Sequence, residues 1–172
     1  MNVRNTKRLG IAGIAMIAMV FLGASFHRAA TAAAPGPAQG TAKQEIPATV
    51  VMEPGPFADM LAHAKEKPAI LNVGVKFLYD SAHIPGSIYL GPGRNSDGID
   101  ALEKWAQDLP RNKAVVIYCG CCPWDKCPNI RPAYTALQSM GFTQIKVIHI
   151  PQDFATDWVA KGLPAEKSVE KN

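Results

Sequence analysis

Outside one nine-residue stretch the chain contains no cysteine, so no disulfide can staple distant elements and all thiol chemistry is confined to one place. Surplus charge is also missing from the body of the chain. Four of the 18 basic residues, Arg4, Lys7, Arg8 and Arg28, precede residue 35, no acid precedes Glu45, and the remainder balances at 14 basic against 14 acidic. That balance removes the electrostatic argument for nucleic acid or an anionic membrane surface as a partner of the folded part. No internal repeat is visible. Gly91-Pro-Gly93 follows a short strand pattern but lacks the arrangement that cradles phosphates, which leaves a nucleotide site unsupported. With 172 residues there is material for a leader and one domain large enough to bury its own core.

The leader begins with the basic residues and continues through an apolar run over residues 9–26, followed by small residues such as Ala30-Thr-Ala32 that fit a cleavage site. This is a secretory signature. The run is also close to the lower length for spanning a bilayer, so residues 1–34 read as a signal peptide or a membrane anchor. Either way the domain is expected to be periplasmic or otherwise exported, touching membrane only through this segment. No cysteine follows the run closely enough for lipoprotein attachment. Residues 35–48 are rich in Ala, Pro and Gly and read as a flexible linker, 49–167 as the domain, and 168–172 as a tail.

Within the domain, strand and helix patterns alternate. Short strands are expected over 49–52, 69–73, 87–90, 113–118 and 144–150, with 69–73 and 113–118 apolar enough to be buried on both faces of a sheet. Helices are expected from Pro56 until Pro68, over 99–109 with Pro110 as its stop, from about Asn129 or Arg131 to a left-handed Gly141, and over 154–161. Phe77-Leu-Tyr79 is left as a short segment of no assigned type. Strands alternating with helices predict an α/β fold with a parallel sheet.

The cysteines occur as Cys119-Gly-Cys121-Cys122-Pro-Trp-Asp-Lys-Cys127, directly after the strand over 113–118 and before a helix. In open α/β sheets, ligands bind beyond the carboxyl ends of the strands. Only a thiolate is a competent nucleophile, and a free thiol with a pKa near about 8.5 is mostly protonated at neutral pH. Loop amides and the N-terminus of the helix after Asn129 would supply positive potential to lower the pKa of Cys119. Lys126 and Arg131 are the cations best placed in sequence to add to that field or to hold an anionic substrate, although solvated surface charge is an equal reading for each. Trp124 is the one aromatic in the loop expected to face a substrate.

Three stretches carry a resemblance: His83-Ile-Pro-Gly-Ser-Ile-Tyr89, the strand Val115-Val-Ile-Tyr-Cys119 entering a loop and a helix that ends Ser139-Met-Gly-Phe142, and Phe154-Ala-Thr-Asp-Trp-Val-Ala-Lys-Gly-Leu-Pro164. In order and spacing they resemble the rhodanese domain. The resemblance implies a small doubly wound parallel sheet with helices on both faces and Cys119 as the catalytic cysteine ending the central strand. It also implies sulfurtransferase activity. Cys119 would accept sulfane sulfur from a small donor such as thiosulfate or a persulfide, hold it as a persulfide, and pass it to a thiol acceptor, with no cofactor. Two features depart from the family. Arg131 follows Cys119 by twelve positions, roughly twice the family's loop, and Asn72-Val-Gly74 stands where the family has Asp-Val-Arg. Tyr118 sits where related phosphatases carry histidine, and no arginine lies six residues after any cysteine, so a cysteine phosphatase or arsenate reductase is disfavoured.

Four thiols in one loop keep other chemistries open. A second cysteine could resolve a persulfide or sulfenate on Cys119 by forming a disulfide, with Cys122 and Cys127 favoured over Cys121 because they lie farther along the loop. The Cys119/Cys121/Cys122/Cys127 cluster could instead bind a soft metal, since Cys119-x-x-Cys122 has the spacing of half a zinc site and thiolates suit Cu(I). One loop supplying every ligand lacks the paired-knuckle pattern of strong zinc sites, and no metal ligand is assigned. The remaining reading is a structural disulfide in a non-catalytic module. His83 reads as a residue that fixes its turn, and Phe154 and Trp158 as core.

Overall fold

The computed structural model describes residues 45–169. The leader and most of the linker therefore lie outside the described residues. Among the described residues, no helix is long and apolar enough to cross a membrane.

Five strands pair in parallel: β1 (Val51–Met52), β2 (Ala69–Asn72), β3 (Ile88–Tyr89), β4 (Val115–Tyr118) and β5 (Ile145–Ile148), in the order β1-β5-β4-β2-β3. β4 is central, and all four of its residues are buried, which is why its sequence shows a continuous apolar run and no alternation. The helices are α1 (Pro54–His63), α2 (Lys76–Ser81), α3 (Ser96–Ala106) and α4 (Ile130–Ser139).

The two faces of the sheet follow from the period of two along a strand. Val115 and Ile117 pack with Leu71, Val73, Val147, Leu102 and Ala106 of α3, and Ala133 and Leu137 of α4. Val116 and Tyr118 point the other way, onto Phe57 of α1, Ile84, Phe154 and Trp158. Cys119, next in the alternation, belongs with the α3/α4 face. The sheet is thus covered on both sides, as the alternation of elements predicts.

Several boundaries differ from the sequence expectation. Ile46 is buried in the α3/α4 layer, so the ordered chain starts before Thr49; it is a β-branched apolar residue in a segment otherwise read as linker. The first strand pairs only over Val51–Met52, after a 3-10 turn at Ala48–Val50. α1 ends at His63, where Ala64 turns to extended backbone, several residues ahead of Pro68. The segment around Phe77 is helical, and the last helix is a single wide π turn, Ala155–Val159. Gly141 does end α4 in the left-handed region, at φ +86°.

His83 holds its turn as expected. It is buried, stacks on Tyr79 at 3.9 Å, and pairs through both backbone groups with Glu166 at 2.9 Å, whose carboxylate also accepts from the Gly86 N–H at 2.9 Å. Phe154 and Trp158 are core, stacked at 5.7 Å.

Candidate functional site

β4 delivers Cys119 to the carboxyl edge of the sheet, where the apolar α3/α4 layer meets the polar side chains of Asn72 and Asn129. On the opposite face Tyr118 is fully buried; its hydroxyl accepts from the Ile84 N–H at 3.1 Å and meets the Ser87 hydroxyl at 3.0 Å. Burial pushes that phenol up to about 12. Tyr118 therefore anchors the end of the strand as a neutral hydrogen-bonding group.

After Cys119 the chain turns sharply at Gly120, at φ +83°, a conformation that costs most other residues about 1–2 kcal/mol. Any Cβ there would stand 2.8 Å from the Cβ of Phe154, and the Phe154 N–H donates to the Gly120 carbonyl at 3.0 Å. The turn folds the loop back on itself. Cys121 is brought against Cys119, and the Cys119 thiol donates to the Cys121 sulfur at 3.1 Å. That distance is a hydrogen bond and far exceeds a disulfide length of about 2.05 Å; all four cysteines are free thiols. Of the resolving partners expected from loop position, Cys127 lies with its sulfur within 4.8 Å of that of Cys119, while Cys122 stands outside this group; Cys121, not singled out from the sequence, makes the 3.1 Å contact.

Substituting Gly120→Ala is expected to cost about 1–3 kcal/mol through the forced φ, with the Phe154 contact adding to it. Urea denaturation measures the first effect, and the rate of thiol alkylation should rise as the cysteines separate. Unchanged stability and unchanged alkylation would show that this turn does not organise the loop.

Two asparagines complete the site, and neither was among the residues expected there. Asn129, directly before α4, is buried; its side chain forms no cap bond to the helix. It instead donates to the sulfurs of Cys121 at 3.2 Å and Cys119 at 3.5 Å, while its carbonyl oxygen accepts from the Arg94 N–H at 3.1 Å. Asn72, at the end of β2, accepts from the Gly74 N–H at 2.9 Å and reaches the Cys119 carbonyl at 3.5 Å. Gly74 matters for the same contact. A Cβ on it would stand 3.2 Å from the Cys119 sulfur, so the glycine found where the related pattern has arginine lets the β2 loop close over the thiol.

The charge distribution differs from expectation. Cys119 was expected to be the ionised sulfur, held so by loop dipoles. In the structure Cys119 is raised above the ordinary thiol range, first because its proton is given to Cys121 and then because Cys127 and burial oppose its ionisation. Cys121 is held far below that range by the hydrogen bonds it receives from Cys119 and Cys127. Burial pushes Cys122, whose sulfur lies 3.4 Å from that of Cys121, up to about 12. The sulfurs titrate together, so the first ionisation belongs to the hydrogen-bonded cluster and its proton is shared between Cys119 and Cys121.

Other expected site residues are placed less centrally. Trp124 packs edge-on against His149 at 5.1 Å, and its backbone N–H donates to the Pro151 carbonyl at 3.1 Å. It pins the loop to the segment after β5 and walls an apolar seam with Cys119, Cys127, Ile130 and Ile148 instead of facing open solvent. Lys126 is exposed on the 3-10 turn Trp124–Lys126. Arg131 lies in the first turn of α4 with its Nε buried and without a hydrogen-bond partner among the described residues. Among the described residues no hydrogen bond or ion pair joins Lys126 or Arg131 to the thiols.

Access to Cys119 is narrow. A pocket of about 10 Å³ between Cys119, Cys121, Asn72, Tyr79 and Phe154 opens beside it, about the size that admits one water. A cavity of about 750 Å³ lies at the other end of the sheet, lined by Pro68, Ala114, Val115 and Ile145. It has no part in this chemistry.

Residues 54–149 match the family model of the rhodanese-like domain. The chain belongs to the rhodanese-like domain family. Solved structures agree on the fold. The rhodanese-like domain of an Anabaena protein is 18% identical with a TM-score of 0.53, covering 72% of this chain and 89% of its own. The Bacillus halodurans protein BH2092 is 17% identical at 0.52, covering 67% and 75%, and a Lactobacillus plantarum protein is 17% identical at 0.51, covering 69% and 88%. No curated protein matches this chain. In this rhodanese-like domain the cysteine at the end of the central strand sits in a loop whose thiols contact one another, with an asparagine directed at two of them.

Proposed function

We propose that this chain is an exported sulfurtransferase that carries sulfane sulfur as a persulfide on Cys119, with Cys121 accepting the Cys119 proton. The observation that carries the reading is the 3.1 Å hydrogen bond from Cys119 to Cys121 at the carboxyl end of the central strand, a nucleophile and its proton acceptor within bonding reach. Membership of the rhodanese-like family supports the reaction class. The basic start and the apolar run over residues 9–26 support export.

The steps balance without a cofactor. The shared proton moves from Cys119 to Cys121, and the Cys119 thiolate attacks the outer sulfur of the donor. The bond from that sulfur to the rest of the donor breaks, and sulfite or a thiolate departs with the electron pair. An acceptor thiolate then attacks the terminal sulfur of the Cys119 persulfide, and Cys119 leaves as the thiolate. The pocket beside Cys119 is about the size of one water, so a bulky donor would have to present its outer sulfur end-on. The Asn129 amide, aimed at both sulfurs, stabilises whichever bears the charge. Lys126 and Arg131 would act at longer range, by attracting an anionic donor.

The full-length chain, reduced and treated with thiosulfate or a small persulfide donor, should gain the mass of one sulfur atom and lose it to an added thiol. Failure to gain sulfur from every donor tried would overturn the proposal.

A further inference from the structure

Three of the four sulfurs converge. The Sγ atoms of Cys119, Cys121 and Cys127 all lie within 4.8 Å of one another, although they come from the end of β4, the turn after Gly120 and the residue that closes the Trp124–Lys126 turn. Cys119 and Cys127 are each only 5% exposed. Sulfur transfer uses one nucleophile and one proton acceptor, so a third sulfur turned inward against both is more than that reaction needs. Among the described residues no carboxylate or imidazole joins the group.

We propose that Cys119, Cys121 and Cys127 form a three-sulfur binding site for Cu(I). At a thiolate–metal length of about 2.3 Å, three ligands arranged in a plane stand about 4 Å apart. This falls between the 3.1 Å of the Cys119–Cys121 pair and the 4.8 Å that bounds the group. Closing the site therefore needs side-chain adjustments of under 1 Å. A donor set made only of soft thiolates selects Cu(I). Zinc asks for four ligands in a tetrahedron. The fourth cysteine, Cys122, touches Cys121 at 3.4 Å but its sulfur stands outside the converging set; it shares a seam with Cys119 and Cys127 whose other walls are Gly120, Trp124, Ile130, Ile148 and Ile150. Beyond the sulfurs, that wall offers no carboxylate or imidazole to complete a tetrahedron.

The surroundings fit the role. The Asn129 amide donates to two of the three sulfurs, the kind of outer hydrogen bond that orients metal ligands. The N-terminus of the ten-residue helix α4 follows directly, and its partial positive charge offsets the excess negative charge of a thiolate set. Binding is ligand exchange. Copper stays Cu(I), sulfur is not oxidised, and the displaced thiol protons go to solvent. The site does not depend on the chain transferring sulfur.

The test is an anaerobic titration of the reduced full-length chain with Cu(I) in competition with a chromophoric Cu(I) chelator. One copper per chain is expected. Cys119→Ser, Cys121→Ser and Cys127→Ser should each weaken binding by about 100-fold or more, and Cys122→Ser by only a few-fold. A chelator that keeps all the copper would overturn the proposal, as would a Cys122→Ser variant as weak as the others or a preference of the chain for zinc. A footprint on the unaltered chain guards against variants that fail to fold. Relative to the copper-free chain, copper should slow alkylation of Cys119, Cys121 and Cys127 and leave the rate at Cys122 unchanged, whereas the same change at all four would contradict the site.

Discussion

Cys119→Ser is expected to abolish sulfur loading, a fall on the order of 10⁴-fold or more in the rate at which the chain gains sulfur from a donor. Serine is close to cysteine in size, and the site around residue 119 is built from the backbone turn at Gly120, the Asn72 bond to the Cys119 carbonyl and the packing of the α3/α4 layer. The fold should survive the change. What is lost is a polarisable sulfur that ionises and can form a sulfur–sulfur bond. Intact-mass measurement after donor treatment reads the result, and a Cys119→Ser chain that loads at the rate of the unaltered protein would move the persulfide elsewhere in the loop.

Cys121→Ser is expected to slow loading by about 10²–10⁴-fold while leaving Cys119 able to load eventually, the range typical for removal of a positioned proton acceptor. Cys121 makes the contact that distinguishes this loop. It accepts from Cys119 at 3.1 Å and from Asn129 at 3.2 Å. Single-turnover loading kinetics compare the two variants directly. Cys121 is also the more exposed of the two sulfurs, and the hydrogen bonds it receives favour its ionisation. If Cys121→Ser were inert and Cys119→Ser still loaded, the roles would be exchanged and Cys121 would be the nucleophile.

The outline of this molecule was legible from its sequence because it rests on local patterns. The continuous apolar runs of β2 and β4 announced strands buried on both faces, and Gly141 announced the end of α4. The placement of Cys119 at the end of a strand followed from the same run, and that this strand is the central one followed from the family resemblance. The interior of the site was not legible, because it depends on contacts between segments far apart in the chain. Cys121 meets Cys119 only because Gly120 turns with positive φ against Phe154. A glycine between two cysteines is a signal that could have suggested that turn.

Asn129 offered less warning. An asparagine before a helix ordinarily reads as a cap, and only the tertiary structure shows its amide turned to the sulfurs. The contact of Trp124 with His149 was hidden for a similar reason, since His149 follows a strand on the other side of the loop. Asn72 and Gly74 were visible as departures from the family pattern. Their effect, closing the β2 loop over the Cys119 thiol, appears only when the two strands are set side by side.

The most direct measurement is the position of the transferred sulfur. After brief treatment of the reduced chain with a sulfane donor, alkylation and peptide fragmentation should locate the added atom on Cys119. Its absence from the whole loop, or its exclusive presence on Cys121, Cys122 or Cys127, would contradict the account.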